Sequence, residues 1–269
     1  MKKVMLVLAA VLFAAGTASA MPIALNPDAV FTGTGFGTTA TFDQLGTNIE
    51  TTSTDYGNDT FEDVGSLAVS SLILVGSSTP LSDAQDAGLN DDWFLVGGWT
   101  DLNGTTQAMI PEAPDALTRY TYISGTLDLY AMTSDPSTKV QVASLKLVDG
   151  FGMLDLLSVP AKDDPLTPEL EGASGYYNLT WEFTNIASGF WLDGNGQALS
   201  LDDIQGSMFA LAIGDTSDVI IIPGDKATTI LSTHNGSVEI GVVPEPATMA
   251  LFGTGLFGLA GAGLRKKRA

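Results

Sequence analysis

The sequence predicts an all-β protein, an antiparallel β-sandwich or jelly roll, and three features of its pattern support this fold class. Apolar residues alternate with polar residues along several segments, as in strands that bury one face. Gly, Asn, Asp, Ser and Thr separate these segments, and eight or more short strands of this kind are typical of sandwiches and jelly rolls. Helical signals are weak, and only residues 81–88 have the pattern of one or two helical turns.

The clearest predicted strand is Tyr177–Thr184, where odd positions are large and apolar and even positions are polar. Residues 123–131 repeat this alternation. Between residues 139 and 147 the apolar positions change parity, which predicts a β-bulge near Ala143 and Ser144. Further strands are predicted at residues 67–75, 93–99, 208–213 and 219–222.

A β-hairpin is predicted close to the end of the body. Residues 227–232 and 237–242 read as strands, and Asn235 followed by Gly236 between them is the strongest short-range signal for a hairpin turn. His234 precedes this pair and is therefore expected in a solvated turn.

The first twenty residues have the three parts of a secretory signal peptide. Lys2 and Lys3 precede an apolar run at residues 4–15, and a small-x-small cleavage site ends at Ala20. The apolar run is too short to cross a bilayer as a helix, which favours a cleaved signal over a membrane anchor. We therefore expect cleavage after Ala20 and an exported body of residues 21–243.

The exported body is strongly acidic and contains no cysteine. The chain has 31 acidic and 11 basic residues. Six of the basic residues lie in the two terminal segments and one acidic residue is Glu245, so residues 21–243 hold 30 acidic and five basic residues, a net charge of −25. Such a surface repels nucleic acids, and we expect no nucleic-acid partner. The lack of cysteine excludes disulfides and thiolate metal sites, so the body depends on its buried core.

The C-terminal segment, residues 244–269, has three parts in order. Pro244, Glu245 and Pro246 come first, and the prolines hold the backbone in an extended form that a processing enzyme can bind. Residues 247–264 carry no charge and would rise about 27 Å as a helix, enough for a thin bilayer. A basic cluster follows, formed by Arg265, Lys266, Lys267 and Arg268. By the positive-inside rule this cluster stays in the cytoplasm while the body is outside.

This tail resembles the PEP-CTERM sorting signal of Gram-negative bacteria that produce exopolysaccharide. The resemblance covers residues 243–269, about a tenth of the chain, and places Pro244, Glu245 and Pro246 on the recognition motif. It implies that an exosortase, an integral membrane enzyme similar to a transpeptidase, removes the tail. The apolar span would then cross the inner membrane only transiently, and the body would reach the cell surface or the extracellular matrix. A permanent type I anchor is the alternative.

A second resemblance lies within the body. FGTTATFDQL at residues 36–45, DTFEDVGSL at residues 59–67 and the triplet Gly97, Gly98 and Trp99 resemble segments of PEP-CTERM proteins associated with flocculation. In those proteins, export with extracellular polysaccharide is linked to the clumping of cells into flocs. The resemblance implies a structural or adhesive protein of a biofilm or floc whose partner is extracellular polysaccharide. A carbohydrate-binding or carbohydrate-active protein is the alternative.

The body has few residues suited to catalysis. His234 is the only histidine, and its place in a predicted turn favours a solvated residue over a catalytic base. Acidic residues are abundant, but the sequence singles out no pair for general acid and base roles. We therefore expect a non-enzymatic protein without a cofactor.

Calcium is the one ligand for which the sequence offers a pattern. Asp193, Asn195 and Gln197 have the spacing of the first ligands in an EF-hand loop, but Ala198 and Ile204 stand where Gly and Glu are required. The segment is therefore not an EF-hand. Asp193 and Asn195 stay candidate calcium ligands, with an ordinary β-turn as the alternative.

Four tryptophans offer a possible surface for stacking sugar rings. Trp181 lies on the apolar face of its predicted strand, and Trp93 and Trp99 would share one face of another. Packing in the core is therefore favoured over an exposed platform for these three rings. Trp191 is the fourth.

Overall fold

The computed structural model describes residues 21–109, 117–155, 174–204, 207–223 and 228–242. The predicted signal peptide and the predicted sorting tail lie outside these residues. No helix within the described ranges has the length and apolar character needed to cross a bilayer.

Eleven β-strands lie in the described residues. They are β1 (Ile23–Leu25), β2 (Phe42–Asp55), β3 (Thr60–Leu74), β4 (Trp93–Ala108), β5 (Leu117–Ser124), β6 (Thr126–Thr133), β7 (Val140–Asp155), β8 (Ser174–Ile186), β9 (Trp191–Asp193), β10 (Ser207–Pro223) and β11 (Thr228–Val242). Helical structure in the same ranges is limited to the 3-10 turns Pro27–Ala29 and Pro136–Thr138 and one α-helical turn, Leu201–Ile204.

The strands follow one another around a closed barrel. The order is β2, β3, β4, the pair β5 and β6, β7, β8, β10 and β11, and β11 returns to pair with β2. β5 and β6 both pair with β4 and β7 and share one position, so the described strands fill eight positions of the barrel. The closing contact runs from Thr228 opposite Asp55 to Glu239 opposite Gln44. β1 pairs with β2 and β9 beside the barrel.

The predicted all-β antiparallel fold is confirmed, but the sandwich or jelly-roll arrangement is wrong. Jelly rolls and most sandwiches contain Greek-key connections, whereas here neighbouring positions of the barrel follow one another along the chain, with β5 and β6 sharing one position. Long strands explain the difference, because β2, β3, β4, β7, β8, β10 and β11 have 13–17 residues. Strands of that length accumulate enough twist for the sheet to curl and close on itself.

The predicted hairpin at Asn235 and Gly236 is also wrong. β11 continues through both residues, which pair with Asn48 and Thr47 of β2. An Asn-Gly pair turns the chain when its two flanks pair with each other, but here both flanks pair with β2. His234 consequently lies inside the barrel and is fully buried.

The predicted alternation of Tyr177–Thr184 is confirmed, with its odd positions buried in β8. The predicted bulge is confirmed as well: β7 shifts register at Ser144 and Leu145, and Val142 and Ala143 are both buried. The predicted strand at residues 123–131 is interrupted at Gly125, between β5 and β6.

Aromatic side chains fill much of the core. The rings of Trp93 and Phe190 meet edge to face with centroids 6.1 Å apart. Phe183 packs in the same way against Trp191 at 5.7 Å and Phe209 at 6.1 Å. Edge-to-face packing is favourable for such rings, and large buried side chains supply the stabilisation that a protein without disulfides needs.

A glycine in β3 makes room for one of these tryptophans. A Cβ atom at position 65 would collide with the six-membered ring of Trp99, which lies against the backbone of Gly65. Trp99 is 2% exposed, and its indole N–H donates a hydrogen bond of 2.8 Å to Asp63. Position 65 therefore sets the place of the indole and of its hydrogen bond.

We predict that Gly65→Ala destabilises the barrel by about 2–4 kcal/mol. The added methyl group overpacks the core and displaces the Trp99 indole from its buried acceptor. Urea denaturation followed by tryptophan fluorescence measures the effect. Gly98→Ala is the matched control, because a Cβ there approaches only the carbonyl oxygen of Gly65, at 3.2 Å. Equal destabilisation by the two variants would contradict this role of Gly65.

Candidate functional site

A buried carboxylic acid lies in the barrel wall where β2, β3 and β4 meet. Asp63 is 2% exposed. Its Oδ2 accepts a hydrogen bond of 2.8 Å from the Ser53 hydroxyl, and its Oδ1 accepts one of 2.8 Å from the Trp99 indole. Each of the three strands thus supplies one member of this group, which we name the Asp63 cluster: Ser53, Asp63 and Trp99.

The surroundings of the Asp63 cluster disfavour a negative charge. Burial raises the pKa of Asp63 to about 7, although the hydrogen bonds from Trp99 and Ser53 act in the opposite direction. Burial also raises the pKa values of Tyr122 and Tyr177, and the neighbouring Asp63 carboxylate contributes to both shifts. Asp63 can therefore gain or lose a proton near neutral pH, while the phenols keep theirs.

A second polar group lies across the seam between β2 and β11. His234 Nε2 is 2.6 Å from Ser232 Oγ and 3.3 Å from Thr51 Oγ1, and the two hydroxyl oxygens are 2.7 Å apart. The ring of Tyr177 packs edge to face on the imidazole, with centroids 5.4 Å apart. We name Thr51, Ser232 and His234 the His234 cluster.

The His234 cluster holds its imidazole in the neutral form. Burial lowers the pKa of His234 to about 4. Its Nδ1 atom is buried without a hydrogen-bond partner. A protonated ring would need a partner for each nitrogen, so this site disfavours the charge.

The two clusters do not form a catalytic triad in the described part of the chain. In such a triad the histidine accepts from the nucleophile through one nitrogen and donates to a carboxylate through the other. Here Ser232 meets Nε2, but Asp63 bonds to Ser53 and Trp99, and His234 Nδ1 has no partner.

The residues of both clusters escaped prediction from the sequence. Asp63 is one of 31 acidic residues and has no distinguishing motif. The Asn235 and Gly236 pair that follows His234 predicts a turn there. The alternation along β11 could have predicted the burial of His234. It lies at an even-numbered position, as do the buried residues Ile230, Ser232, Val238 and Ile240, and alternate residues of a strand face the same side.

The predicted calcium ligands lie at the end of β9, which closes with Asp193, and in the turn that follows, which contains Asn195. Asp193 Oδ1 accepts hydrogen bonds from the backbone N–H groups of Asn195 at 2.8 Å and Gln197 at 2.7 Å. These bonds lower the pKa of Asp193, that from Gln197 most. The carboxylate thus stabilises its own turn, and calcium binding there stays a prediction. No group of three or more acidic, His or Cys residues placed to hold a metal lies in the described ranges.

The four tryptophans belong to the core, which confirms the prediction for Trp93, Trp99 and Trp181 and adds Trp191. Trp93, Trp181 and Trp191 are fully buried and Trp99 is 2% exposed. None of these rings is therefore available as a platform for sugars. Trp93 and Trp191 donate their indole N–H groups to the carbonyl oxygens of Ala87 and Val142.

The predicted sorting residues lie outside the described residues. They are Pro244, Glu245 and Pro246 of the recognition motif and Arg265, Lys266, Lys267 and Arg268 of the basic cluster. β11 ends at Val242, two positions before Pro244. The roles of the individual sorting residues stay predictions.

Comparison with known families identifies a PEP-CTERM protein-sorting motif at residues 242–268. This match confirms the resemblance found in the tail, and it indicates an exported, extracellular protein that an exosortase sorts. No curated protein sequence and no solved structure is significantly similar to the chain.

The two buried groups predict opposite pH dependences of stability. Asp63 has a raised pKa in the folded state, so its contribution is full below about pH 4 and is lost as the pH rises to about 7. His234 has a lowered pKa, so its contribution is present above pH 6.5 and is lost as the pH falls to about 4. Between these values the two effects largely cancel in the unmodified protein.

A single substitution at either residue should reveal how that residue changes the free energy of unfolding with pH. Relative to the unmodified protein, Asp63→Asn should gain about 4 kcal/mol of stability between pH 4 and pH 7, and His234→Gln should lose about 3 kcal/mol between pH 4 and pH 6.5. Urea denaturation of residues 21–243 across this range measures both, and subtracting the unmodified protein removes the contribution of the other acids. If the stability difference from the unmodified protein changed with pH in the same direction for both variants, the opposite pH dependences of Asp63 and His234 would be contradicted.

Proposed function

We propose that this PEP-CTERM protein is a structural, adhesive component of an extracellular polysaccharide matrix. The observation that carries the proposal is the sorting motif at residues 242–268, which indicates an exosortase-sorted extracellular protein. The adhesive role and the polysaccharide partner go beyond that observation and rest on the further arguments below.

A closed barrel suits a protein that must persist outside the cell. Exposed sheet edges pair with other chains and lead to aggregation, and the contact between β11 and β2 removes the edges that those two strands would otherwise present. The barrel achieves this without cysteine, by pairing long strands around an aromatic core.

The charge of the body supports a role among polymers and cations. A net charge of −25 over residues 21–243 keeps copies of the protein apart and attracts cations. Divalent cations bridge carboxylates of neighbouring chains or of an acidic polysaccharide. Calcium is the expected ion, and Asp193 and Asn195 are the proposed ligands.

A deletion tests the adhesive role. Removal of residues 21–243 from the gene, with the signal peptide and sorting tail retained, should reduce the clumping of producing cells. Polymer secretion must be measured in parallel and must stay unchanged. Cells that clump as before would refute the role while leaving the sorting of the protein untouched.

The processing of the chain leads to a second prediction. Intact mass measurement of protein recovered from the medium or the cell surface should show a chain that lacks residues 1–20 and the basic cluster at residues 265–268. Cells without the exosortase should instead accumulate a membrane-bound form that ends at Ala269. Mature protein that retains the basic cluster would support a permanent anchor instead.

A further inference from the structure

A groove crosses the outer wall of the barrel over β3, β4 and β6. Its volume is about 560 Å³, within the range of small-molecule sites. Gly98 lines the groove on β4, the middle of the three strands, and its neighbours in register are Ser66 on β3 and Asp128 on β6. A Cβ at position 98 would meet only the carbonyl oxygen of Gly65 within 4 Å, so the space above this glycine is open.

A β-bulge shapes one end of the groove. Asp63 pairs with Leu102 and Gly65 with Trp99, so β4 has one more residue than β3 over this interval. The bulge places Asp101 beside the start of β6, where its Oδ1 accepts a hydrogen bond of 2.9 Å from the Thr126 N–H. Bulges commonly redirect side chains next to functional sites.

The other end of the groove is held in place by hydrogen bonds and by a cation–π contact. Asp128 Oδ1 accepts from the Gln141 amide at 2.8 Å and from the Ser144 hydroxyl at 2.6 Å, and Oδ2 takes part in neither bond. The ammonium group of Lys139 is 4.0 Å from the centre of the Tyr130 ring. Burial, then the Asp128 charge and a hydrogen bond with Asp128, raise the pKa of Tyr130, so its hydroxyl is protonated and interacts with Asp128.

The groove therefore combines acceptors, donors and apolar surface within one small site. Asp101 and Asp128 supply carboxylate oxygens, Lys139 supplies donors, and Val64, 43% exposed, supplies apolar surface. A sugar ring has the complementary features, with several hydroxyl groups around a face of C–H groups. A polyanion is disfavoured because the two carboxylates face the groove.

We propose that this groove binds a segment of a neutral, hydroxyl-rich polysaccharide, with Asp101 and Asp128 accepting hydrogen bonds from sugar hydroxyls and Lys139 donating to sugar oxygens. Gly98 lets the sugar approach the backbone of the sheet. The inference rests on the proposed matrix function, to which it adds a site for neutral polymer that is separate from the cation-bridged contacts between carboxylates.

Three variants test the groove. Asp128→Asn removes the charged acceptor, Gly98→Gln fills part of the groove, and Glu239→Gln is the charge-matched control on the exposed surface of β11. Protein recovered from producing cells is titrated with cellohexaose and mannohexaose as neutral probes, an alginate hexamer as the acidic probe, Ca²⁺ alone, and the extracellular polymer purified from the same cells. Thermal denaturation of each variant reports whether it is folded.

We expect binding to a neutral hexasaccharide or to the purified polymer, weakened at least tenfold by Asp128→Asn and Gly98→Gln and unchanged by Glu239→Gln. Preference for the alginate hexamer, binding of Ca²⁺ only, no binding to any probe, or equal affinity of all variants would each overturn the proposal. If Gly98→Gln does not fold, Asp101→Asn replaces it as the second variant.

The cell assay separates this proposal from the proposed function. If deletion of the body lowers clumping but folded groove variants bind and clump as the unmodified protein does, the groove is wrong and the matrix role stands. If the deletion leaves clumping unchanged, the matrix role is wrong, and binding to the probes then decides on the groove alone.

Discussion

The pairing of β11 with β2 is the contact on which the rest of the structure depends. These strands are separated by most of the body in sequence, yet they pair over twelve residues. Without this seam the barrel would be an open sheet with unpaired backbone groups on β2 and β11. It would also leave the inward side chains of both strands exposed to solvent.

Polar side chains lie at this seam and beside it, where a barrel core is ordinarily apolar. The His234 cluster links β2 to β11, and the Asp63 cluster links β2 to β3 and β4. Buried polar groups cost free energy unless they are paired, and the pairing fixes which residues lie opposite each other. A one-residue slip of β11 would separate Ser232 from Thr51 and turn His234 outward. The clusters thus specify the register of the strands that close the barrel.

The sequence predicted the local structure well and the closure poorly. Alternation in Tyr177–Thr184 and the change of parity near Ala143 depend on neighbours along the chain, and both are confirmed. Closure depends on strand length, twist and the distant partner of β11, which alternation does not encode. The Asp63 cluster, the His234 cluster and the groove around Gly98 could not be predicted either. Their residues come from separate strands, and only the pairing of those strands places them side by side. The tail was recognised because its signal is contiguous in sequence.

The strand that completes the barrel is also the strand that leads into the sorting motif, since β11 ends at Val242, where that motif begins. β2, near the start of the body, finds its second partner in the barrel only in β11, near the end of the body. The barrel can therefore close only when nearly the whole body is available, and the sorting motif is the next segment of the chain. The order of the strands thus places the last contact needed for a closed barrel directly before the segment that carries the sorting motif.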